Sequence, residues 1–281
     1  GDYRRVKLIK KLYRKMTVIY PSPIFGPVKS RRLGISLGIN LQPDDGKLCS
    51  FDCLYCECGL NKQRLTRKKR PSRDIVKAKL EECLAMMKKE GALPDVLTFA
   101  GNGEPTGHPD FLNIIKDTIT LRNRYCPDAK ISVLSNATFC DRQEVFDALM
   151  LVDNNILKLD TVCNEYIRIV DRPAQPGYDV RNVVKWIKRF NGHCIIQTMF
   201  LKGRGVADAD EGSITVDVNN VKEEYIAPWI EALTEIAPQK VMIYTIDRET
   251  PVRWLEKATH EELDAICERV RRCGIDCSAS Y

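Results

Sequence analysis

Six short apolar segments recur along the chain, and segments with helical periodicity lie between them. Apolar runs of this kind are typical of strands in a parallel sheet built from βα units. A complete barrel needs eight such units. Six units therefore predict an α/β fold, a partial (β/α)6 TIM-like barrel that is open on one side. The predicted strands are Gly34–Leu41, Val96–Ala100, Lys130–Ser135, Ile156–Val162, Cys194–Leu201 and Lys240–Ile246.

The helices between these strands show the apolar spacing of amphipathic helices. The predicted helices are Ser72–Lys89, Asp110–Tyr125, Asp141–Leu151, Val180–Phe190, Val221–Ile236 and Glu261–Cys273. Residues 26–281 are predicted to form one barrel domain. Residues 1–25 are predicted to be a basic N-terminal extension, in which Met16 is a candidate start of the natural chain.

The composition indicates a cytoplasmic protein. Hydrophobic residues make up 44% and charged residues 29% of the chain, which is ordinary for a soluble domain. No window approaches the roughly 18 consecutive apolar residues of a transmembrane helix, so we expect no membrane partner. The chain opens without the apolar core of a signal peptide. The twelve cysteines are spread along a long chain, unlike a secreted disulfide scaffold.

Positive charge is concentrated in two runs, Arg4 to Lys15 and Arg64 to Arg73, although the net charge is only +6. Such runs can contact phosphate groups, as in RNA. They are equally compatible with solvated surface.

Three cysteines, Cys49, Cys53 and Cys56, follow the first predicted strand at a C-x3-C-x2-C spacing. A 4Fe–4S cluster normally takes four cysteine ligands, so three would leave one iron open. Structural zinc sites also take four ligands, and Cys58 would have to be the fourth. A non-catalytic iron–sulfur or zinc protein is therefore an open alternative.

Polar residues stand at the ends of the other predicted strands, where parallel α/β folds carry their chemistry. The glycines of Gly101-Asn102-Gly103-Glu104 allow close approach of a ligand, and Glu104 can accept hydrogen bonds from a cationic amine. A plain glycine turn is the alternative. Lys158 and Asp160 share one face of a strand and predict an ion pair, at the site or as a buried structural pair. The remaining strand ends carry Ser135 and Asn136, Gln197, and Tyr244 with Asp247 and Arg248.

The cysteine spacing, with Tyr55 inside it, and the glycine turn about fifty residues later together resemble the radical S-adenosylmethionine (SAM) superfamily. Within it, the chain is most similar to iron–sulfur oxidoreductases related to wyosine-type tRNA-modifying enzymes. The resemblance runs from about Gly26 to the last strand. The sequence Glu57-Cys58-Gly59 departs from the pattern of true wyosine synthases.

The resemblance implies that Cys49, Cys53 and Cys56 ligate a 4Fe–4S cluster and that SAM binds its open iron. Reductive cleavage of SAM would give a 5′-deoxyadenosyl radical that abstracts hydrogen from a substrate. Lys158 and Asp160 are the candidate catalytic residues. The candidate SAM-binding residues are Tyr55, Gly101, Asn102, Gly103, Glu104, Ser135, Asn136, Asp160, Gln197 and Tyr244.

The predicted partners are an external electron donor of the flavodoxin or ferredoxin type and a substrate of one of two classes. The basic runs favour RNA or another nucleotide. The short chain without an auxiliary cluster suits a peptide or protein, as for an activase of a glycyl radical enzyme. Loops Gly203–Asn220 and Asp171–Gly177 are predicted to set specificity. His108 and the cysteines Cys267, Cys273 and Cys277 are expected to be structural, the cysteines as buried thiols.

Overall fold

The computed structural model describes residues 17–30, 34–209 and 212–281. Its centre is an eight-stranded sheet in the order β1-β2-β3-β4-β5-β6-β10-β12. These strands are β1 Ile24–Ser30, β2 Gly34–Ile39, β3 Val96–Phe99, β4 Lys130–Ser135, β5 Asn154–Lys158, β6 Ile195–Met199, β10 Lys240–Tyr244 and β12 Cys277–Ser280. All neighbours pair in parallel except β1, which is antiparallel to β2.

Helices connect successive parallel strands, as in a chain of βα units. They are α1 Arg73–Glu90, α2 Phe111–Tyr125, α3 Gln143–Leu151, α4 Asn164–Val170, α5 Val180–Lys188, α6 Glu223–Ile236 and α7 His260–Arg272. Helix α1 begins after Ser72, whose hydroxyl accepts from the amide of Ile75. It ends at Gly91, which adopts the left-handed conformation (φ +70°) that favours glycine at this position.

The predicted fold class is confirmed: the sheet is α/β, mostly parallel and not closed into a barrel. The six predicted strands correspond to β2–β6 and β10. The edge strands β1 and β12 were not predicted. Strand β1 contains Pro27 and follows Pro23, and proline is unusual in a strand away from a sheet edge. Strand β12 has only four residues with mostly small side chains.

Two further elements lie where loops were predicted. Strands β8 (Arg204–Ala209) and β9 (Gly212–Asp217) form an antiparallel hairpin within the predicted loop Gly203–Asn220. Strands β7 (Leu201–Lys202) and β11 (Glu256–Lys257) form a second short pair. A small apolar cluster joins the hairpin to α4 and to the end of β10 through Val216, Tyr166 and Ile246.

Strands β2 and β3 place large apolar side chains on one face and small or polar ones on the other. Leu37 and Ile39 of β2 and Leu97 of β3 belong to the main core with the helices. Their neighbours Ser36, Gly38 and Thr98 point to the opposite face, where the hydroxyls of Ser36 and Thr98 lie 3.0 Å apart. In these two strands the alternation therefore puts small and polar side chains on the inner face of the partial barrel.

The predicted boundary at residue 26 stays a prediction. Residues 1–16 of the predicted extension, which include Met16 and the run Arg4 to Lys15, lie outside the described residues. Strand β1 begins at Ile24, and the amide of Tyr20 donates to the side chain of Asn102 (2.8 Å). Residues 17–25 therefore contact the domain that contains the central sheet.

No helix in the described ranges is long and apolar enough to cross a membrane. The cytoplasmic location stays a prediction.

Gly38→Ala is expected to destabilise the protein by about 1–3 kcal/mol, the usual cost of overpacking. The added Cβ would lie 2.2 Å from Cζ of Phe25, so the ring that covers β2 would have to move. Denaturant unfolding of Gly38→Ala, Phe25→Leu and the double variant measures the coupling. We expect the double variant to lose less than the sum of the single losses. Additive losses would contradict this contact.

Candidate active site

A cavity of about 370 Å³ opens at the carboxyl ends of the parallel strands. It is the place where the sheet brings the predicted residues together. The predicted site residues that line it are Cys49, Cys53, Tyr55, Cys56, Gly101, Gly103, Glu104, Ser135, Asn136, Lys158, Gln197 and Tyr244. Two predicted residues, Asn102 and Asp160, are not among those that line it.

The glycine turn after β3, Gly101–Glu104, is paired with the start of the loop that carries Cys49, Cys53 and Cys56, which we call the cysteine loop. The amide of Leu48 donates to the carbonyl oxygen of Asn102 (2.9 Å), and the amide of Glu104 donates to that of Leu48 (3.1 Å). Gly103 lies between these bonds with φ +138°. A Cβ on Gly103 would lie 1.7 Å from the oxygen of Leu48, so only glycine fits.

The end of α4 holds the second side of the same loop. The amides of Asp52 and Leu54 donate to the carbonyl oxygens of Asp171 and Val170, each at 2.9 Å. Arg172 adds an ion pair with Asp52 (2.7 Å). The predicted specificity loop thus begins with residues that support the cysteine loop. Residue types carry no signal for this role, because carbonyl oxygens accept the two loop amides.

The three thiols differ in their acidity. Burial raises the pKa of the Cys49 thiol to about 12 and that of Cys53 well above its usual value. A hydrogen bond from the thiol of Cys58 lowers the pKa of Cys56 to about 6. Cys58, which the sequence left unassigned, is buried and supports the thiolate form of its neighbour.

Lys47 supplies a buried positive charge beside the loop. Its ammonium donates to the carbonyl oxygen of Gly59 (2.8 Å) and lies 3.7 Å from Asp52. Burial lowers the pKa of Lys47, but the three cysteines and Asp52 outweigh burial and raise it. The ammonium therefore stays charged and offsets negative charge on the thiolates.

Glu104 places a carboxylate inside the cavity. One oxygen accepts from the hydroxyls of Ser135 (2.7 Å) and Thr106 (2.5 Å), and the other accepts from the amide of Asn136 (2.7 Å). Burial raises the pKa of Glu104, and these hydrogen bonds oppose the rise. The side chain of Asn136 also donates to Ser50 (2.8 Å), so it links Glu104 to the cysteine loop.

The side chain of Asn102 is turned into the protein, away from its predicted contact with SAM. Its amide nitrogen donates to the carbonyl oxygens of Tyr20 (2.8 Å) and Pro43 (3.0 Å). Its oxygen accepts from the amide of Tyr20. Asn102 is fully buried, and these bonds give its side chain a structural role instead.

Lys158 stands in the cavity wall within a network of polar groups. Its ammonium donates to the hydroxyls of Tyr55 (2.7 Å) and Tyr244 (3.3 Å), and it lies 3.8 Å from Asp160. Tyr55 in turn donates to Asp160. Burial lowers the pKa of Lys158, but Asp160, Tyr244, Cys53 and Asp171 together outweigh burial and raise the pKa well above the usual value. The amine is therefore a cation at neutral pH.

Asp160 lies behind this network rather than in the cavity. Its second oxygen accepts from the amide of Met199 (2.9 Å). Asp171 lies 3.4 Å from the hydroxyl of Tyr55, and burial raises the pKa of its carboxyl well above the usual range. The predicted pair Lys158 and Asp160 thus extends to two tyrosines and to Asp171, which the sequence did not single out.

A second cluster of polar side chains lies at the rim of the cavity, and sequence reasoning identified only Arg248 among its three members. Arg248 forms an ion pair with Glu57 (2.9 Å) and donates to the hydroxyl of Tyr20 (3.2 Å). Tyr20 donates to the other oxygen of Glu57 (2.9 Å). Asp247 and Arg248 line the cavity beside them, as expected for the end of the last predicted strand.

The residues expected to be structural lie outside the cavity. His108 contacts the carbonyl oxygen of Pro71 through Nε2 (2.7 Å) and accepts from the amide of Asp110 through Nδ1. Cys267 and Cys277 are buried, with their sulfur atoms 2.9 Å apart. The expectation of a buried thiol at Cys273 is wrong: it is exposed, since it follows the last turn of α7.

The family model of the radical SAM superfamily matches residues 46–212, which span the cysteine loop, the glycine turn and strands β3–β8. The chain belongs to the radical SAM superfamily. This confirms the predicted family and its cofactors, a 4Fe–4S cluster and SAM, and makes the protein an enzyme.

The curated relatives agree over most of the chain. A UPF0026 protein of Methanocaldococcus jannaschii is 31% identical over 247 residues, covering 86% of this chain and 69% of the relative. A protein of Brachyspira hyodysenteriae named GTPase Obg is 28% identical over 86% of this chain. The chain spans only 32% of that relative's length.

Solved radical SAM enzymes share the fold. Streptococcus suis SuiB bound to SAM has a TM-score of 0.60 at 15% identity, over 99% of this chain and 55% of SuiB. SuiB has also been solved with its precursor peptide SuiA. TYW1 with a lysine-pyruvate adduct has a TM-score of 0.59 at 14% identity, over 84% of this chain and 73% of TYW1. The radical SAM fold thus extends over most of the chain.

Gly103→Ala is expected to disrupt the pairing between the glycine turn and the cysteine loop, because Cβ collides with the backbone of Leu48. Gly177→Ala is the matched control: its φ is also positive (+74°), but nothing lies within 4 Å of its Cβ. The control should lose about 1–3 kcal/mol from strain alone. Gly103→Ala should lose more and speed the labelling of Cys49 by a thiol reagent. Equal losses and equal labelling would contradict the pairing.

Proposed function

We propose that Cys49, Cys53 and Cys56 hold a 4Fe–4S cluster with one iron open for SAM, and that the enzyme performs radical chemistry on a nucleotide-containing substrate. The observation that carries this proposal is a shared cavity: the thiols of Cys49, Cys53 and Cys56, with Cys58 beside them, and the carboxylate of Glu104 line the same space. A structural metal site would have no use for the buried carboxylate opposite its thiols.

The arrangement of the thiols suits a cluster better than a zinc ion. Zinc gathers four ligands around one point, with sulfur at about 2.3 Å. Cys58 would have to be the fourth zinc ligand, and it lines the same cavity. A cluster with one open iron needs only three thiols, and it gives the carboxylate of Glu104 in that cavity a role that a zinc site does not. This supports the enzyme over the zinc-binding alternative.

A cluster held by these cysteines would supply the electron for cleavage of SAM to methionine and a 5′-deoxyadenosyl radical, which would take a hydrogen atom from the substrate. Glu104 is placed to accept hydrogen bonds from the SAM amine, and Gly101 and Gly103 line the cavity beside it. Ser135 and Asn136 orient Glu104. Tyr55, Gln197 and Tyr244 complete the proposed SAM-binding wall. Asn102 and Asp160 act from outside the cavity as positioning residues.

The surroundings of Lys158 favour an anionic substrate such as a nucleotide. Its side chain is 18% exposed, towards the cavity that it lines. Two of its three N–H groups are used by Tyr55 and Tyr244, and Asp160 at 3.8 Å is too far for a hydrogen bond. A phosphate oxygen of the substrate can accept the third. Phe51, Leu134 and Met199 line the cavity with apolar surface that limits water around the radical.

The reductive cleavage of SAM tests the proposed chemistry. Anaerobically reconstituted protein with dithionite is expected to release 5′-deoxyadenosine, measured by liquid chromatography. Cys53→Ala should release none, because the cluster loses one of three ligands. Cys126→Ala removes a buried cysteine outside the cavity and should keep the activity. Equal cleavage by both variants, or none by the wild type, would refute the proposal.

The substrate class can be read from hydrogen transfer. Total RNA and a peptide digest, each from cells grown in heavy water, are offered separately, and mass spectrometry measures deuterium in the 5′-deoxyadenosine. We expect deuterium from the RNA fraction. Lys158→Met should reduce this transfer while unlabelled cleavage of SAM continues, because the anion loses its partner. Deuterium from the peptides alone would favour the activase or maturase alternative, to which the SuiB complex with SuiA is the structural parallel.

A further inference from the structure

A basic surface segment lies directly against the cysteine loop. The amide of Lys47 donates to the carbonyl oxygen of Arg64 (2.7 Å), and the amide of Asn61 donates to Asp52 (2.7 Å). The side chain of Asn61 also donates to the carbonyl oxygen of Phe51 (3.2 Å). The segment is therefore hydrogen-bonded to residues that lie within two positions of the predicted cluster ligands. None of residues 59–73 lines the cavity.

The outer side of this segment combines exposed cations with an exposed leucine. We call Lys62, Leu65, Arg67, Lys68 and Lys69 the basic face. Leu65 is 77% exposed, more than any other large apolar side chain in the described ranges. Lys68 pairs with Asp44 (2.7 Å). Among the described residues, Lys62, Arg67 and Lys69 are exposed and form no ion pair. Exposed cations next to an exposed apolar side chain along the chain match the apolar and polar parts of protein interfaces.

The proposed reaction needs a partner at such a place. Reductive cleavage of SAM consumes one electron per turnover, and a cluster must be reduced again before it can react. The proposed enzyme therefore needs a one-electron reductant, and the electron must arrive close to the cysteine loop.

We propose that the basic face is the docking surface for an acidic one-electron carrier protein with a flavin or an iron–sulfur centre. This inference rests on the proposed function. The carrier is oxidised by one electron and the cluster is reduced by one electron, with no proton transferred and no covalent bond formed. Lys62, Arg67 and Lys69 attract the acidic carrier, and Leu65 contacts an apolar residue at the centre of its surface.

The residues of this face suit a protein better than RNA. Single-stranded RNA is recognised largely by stacking of bases on aromatic rings, and residues 59–73 contain no aromatic side chain. A phosphate backbone would leave Leu65 exposed to water, whereas an apolar patch on a protein would cover it. The position of the face against the cysteine loop, rather than in the cavity wall, also suits electron delivery instead of substrate binding.

Charge reversal tests the docking surface. The face variant carries Lys62→Glu, Arg67→Glu and Lys69→Glu. The control variant carries Arg181→Glu, Lys185→Glu and Lys188→Glu on the exposed side of α5, with the same change in net charge. The probes are one acidic flavodoxin and one acidic ferredoxin. Titration calorimetry measures binding of the oxidised carriers, and stopped-flow absorbance measures reduction of the cluster by the reduced carriers.

We expect the face variant to bind a carrier at least about tenfold more weakly and to be reduced correspondingly more slowly, as is usual when close interface charges are reversed. The control variant should match the wild type. Leu65→Ser should weaken binding without changing its salt dependence, since it removes no charge. With dithionite as reductant, the face variant should cleave SAM at the wild-type rate.

The inference would be overturned by equal carrier binding in the face and control variants, or by a wild type that binds neither carrier. Unchanged carrier binding with loss of tRNA retention in the face variant would assign the surface to RNA instead. A wild type that fails to cleave SAM with dithionite refutes the proposed function, while the calorimetric comparison still reports on the docking surface. The two failures are therefore distinguishable.

Discussion

The cysteine loop depends on backbone hydrogen bonds from two separate parts of the chain. It has no helix or long strand of its own, so its shape comes from the glycine turn after β3 and from the end of α4. A loop that brings three thiols next to charged groups is costly unless its buried backbone polar groups are paired. The two supports provide this pairing, and they fix the thiols relative to Glu104. The rest of the fold serves to bring these two supports to the same end of the sheet.

The cavity walls also carry two opposite charges that are held in different ways. Glu104 is surrounded by donors from Ser135, Thr106 and Asn136, which stabilise its negative charge despite burial. Lys158 is surrounded by two phenol oxygens and by Asp160, which stabilise a positive charge. The two groups come from different strand ends and have different partners, so neither neutralises the other. One cavity can therefore bind both a cationic amine and an anionic group.

Parts of this site could be predicted from the sequence because they depend on residue type at fixed spacing. Cys49, Cys53, Cys56 and Glu104 are of this kind, and so are the strands that end beside them. The support from α4 could not be predicted, because the carbonyl oxygens of Val170 and Asp171 accept the loop amides. Every residue has a carbonyl group, so such a contact leaves no pattern in the sequence.

Other misses have equally local causes. Asn102 lies inside the motif, but its side-chain amide donates to the carbonyl oxygens of Tyr20 and Pro43. The spacing of residues in a sequence does not show which way a side chain turns. Strand β1 contains Pro27 and follows Pro23, which normally argues against a strand, yet an edge strand tolerates proline. Predictions from side-chain pattern thus held at the strand ends and failed where backbone contacts or an edge position decided the structure.

Mössbauer spectroscopy of protein reconstituted with iron-57 would test the central claim most directly. Spectra are recorded with and without SAM, in the absence of reductant. If Cys49, Cys53 and Cys56 leave one iron open, SAM should change the isomer shift of one iron in four and leave the other three unchanged. A cluster whose four irons do not respond to SAM, or iron bound without a cluster, would contradict the assignment of the cavity.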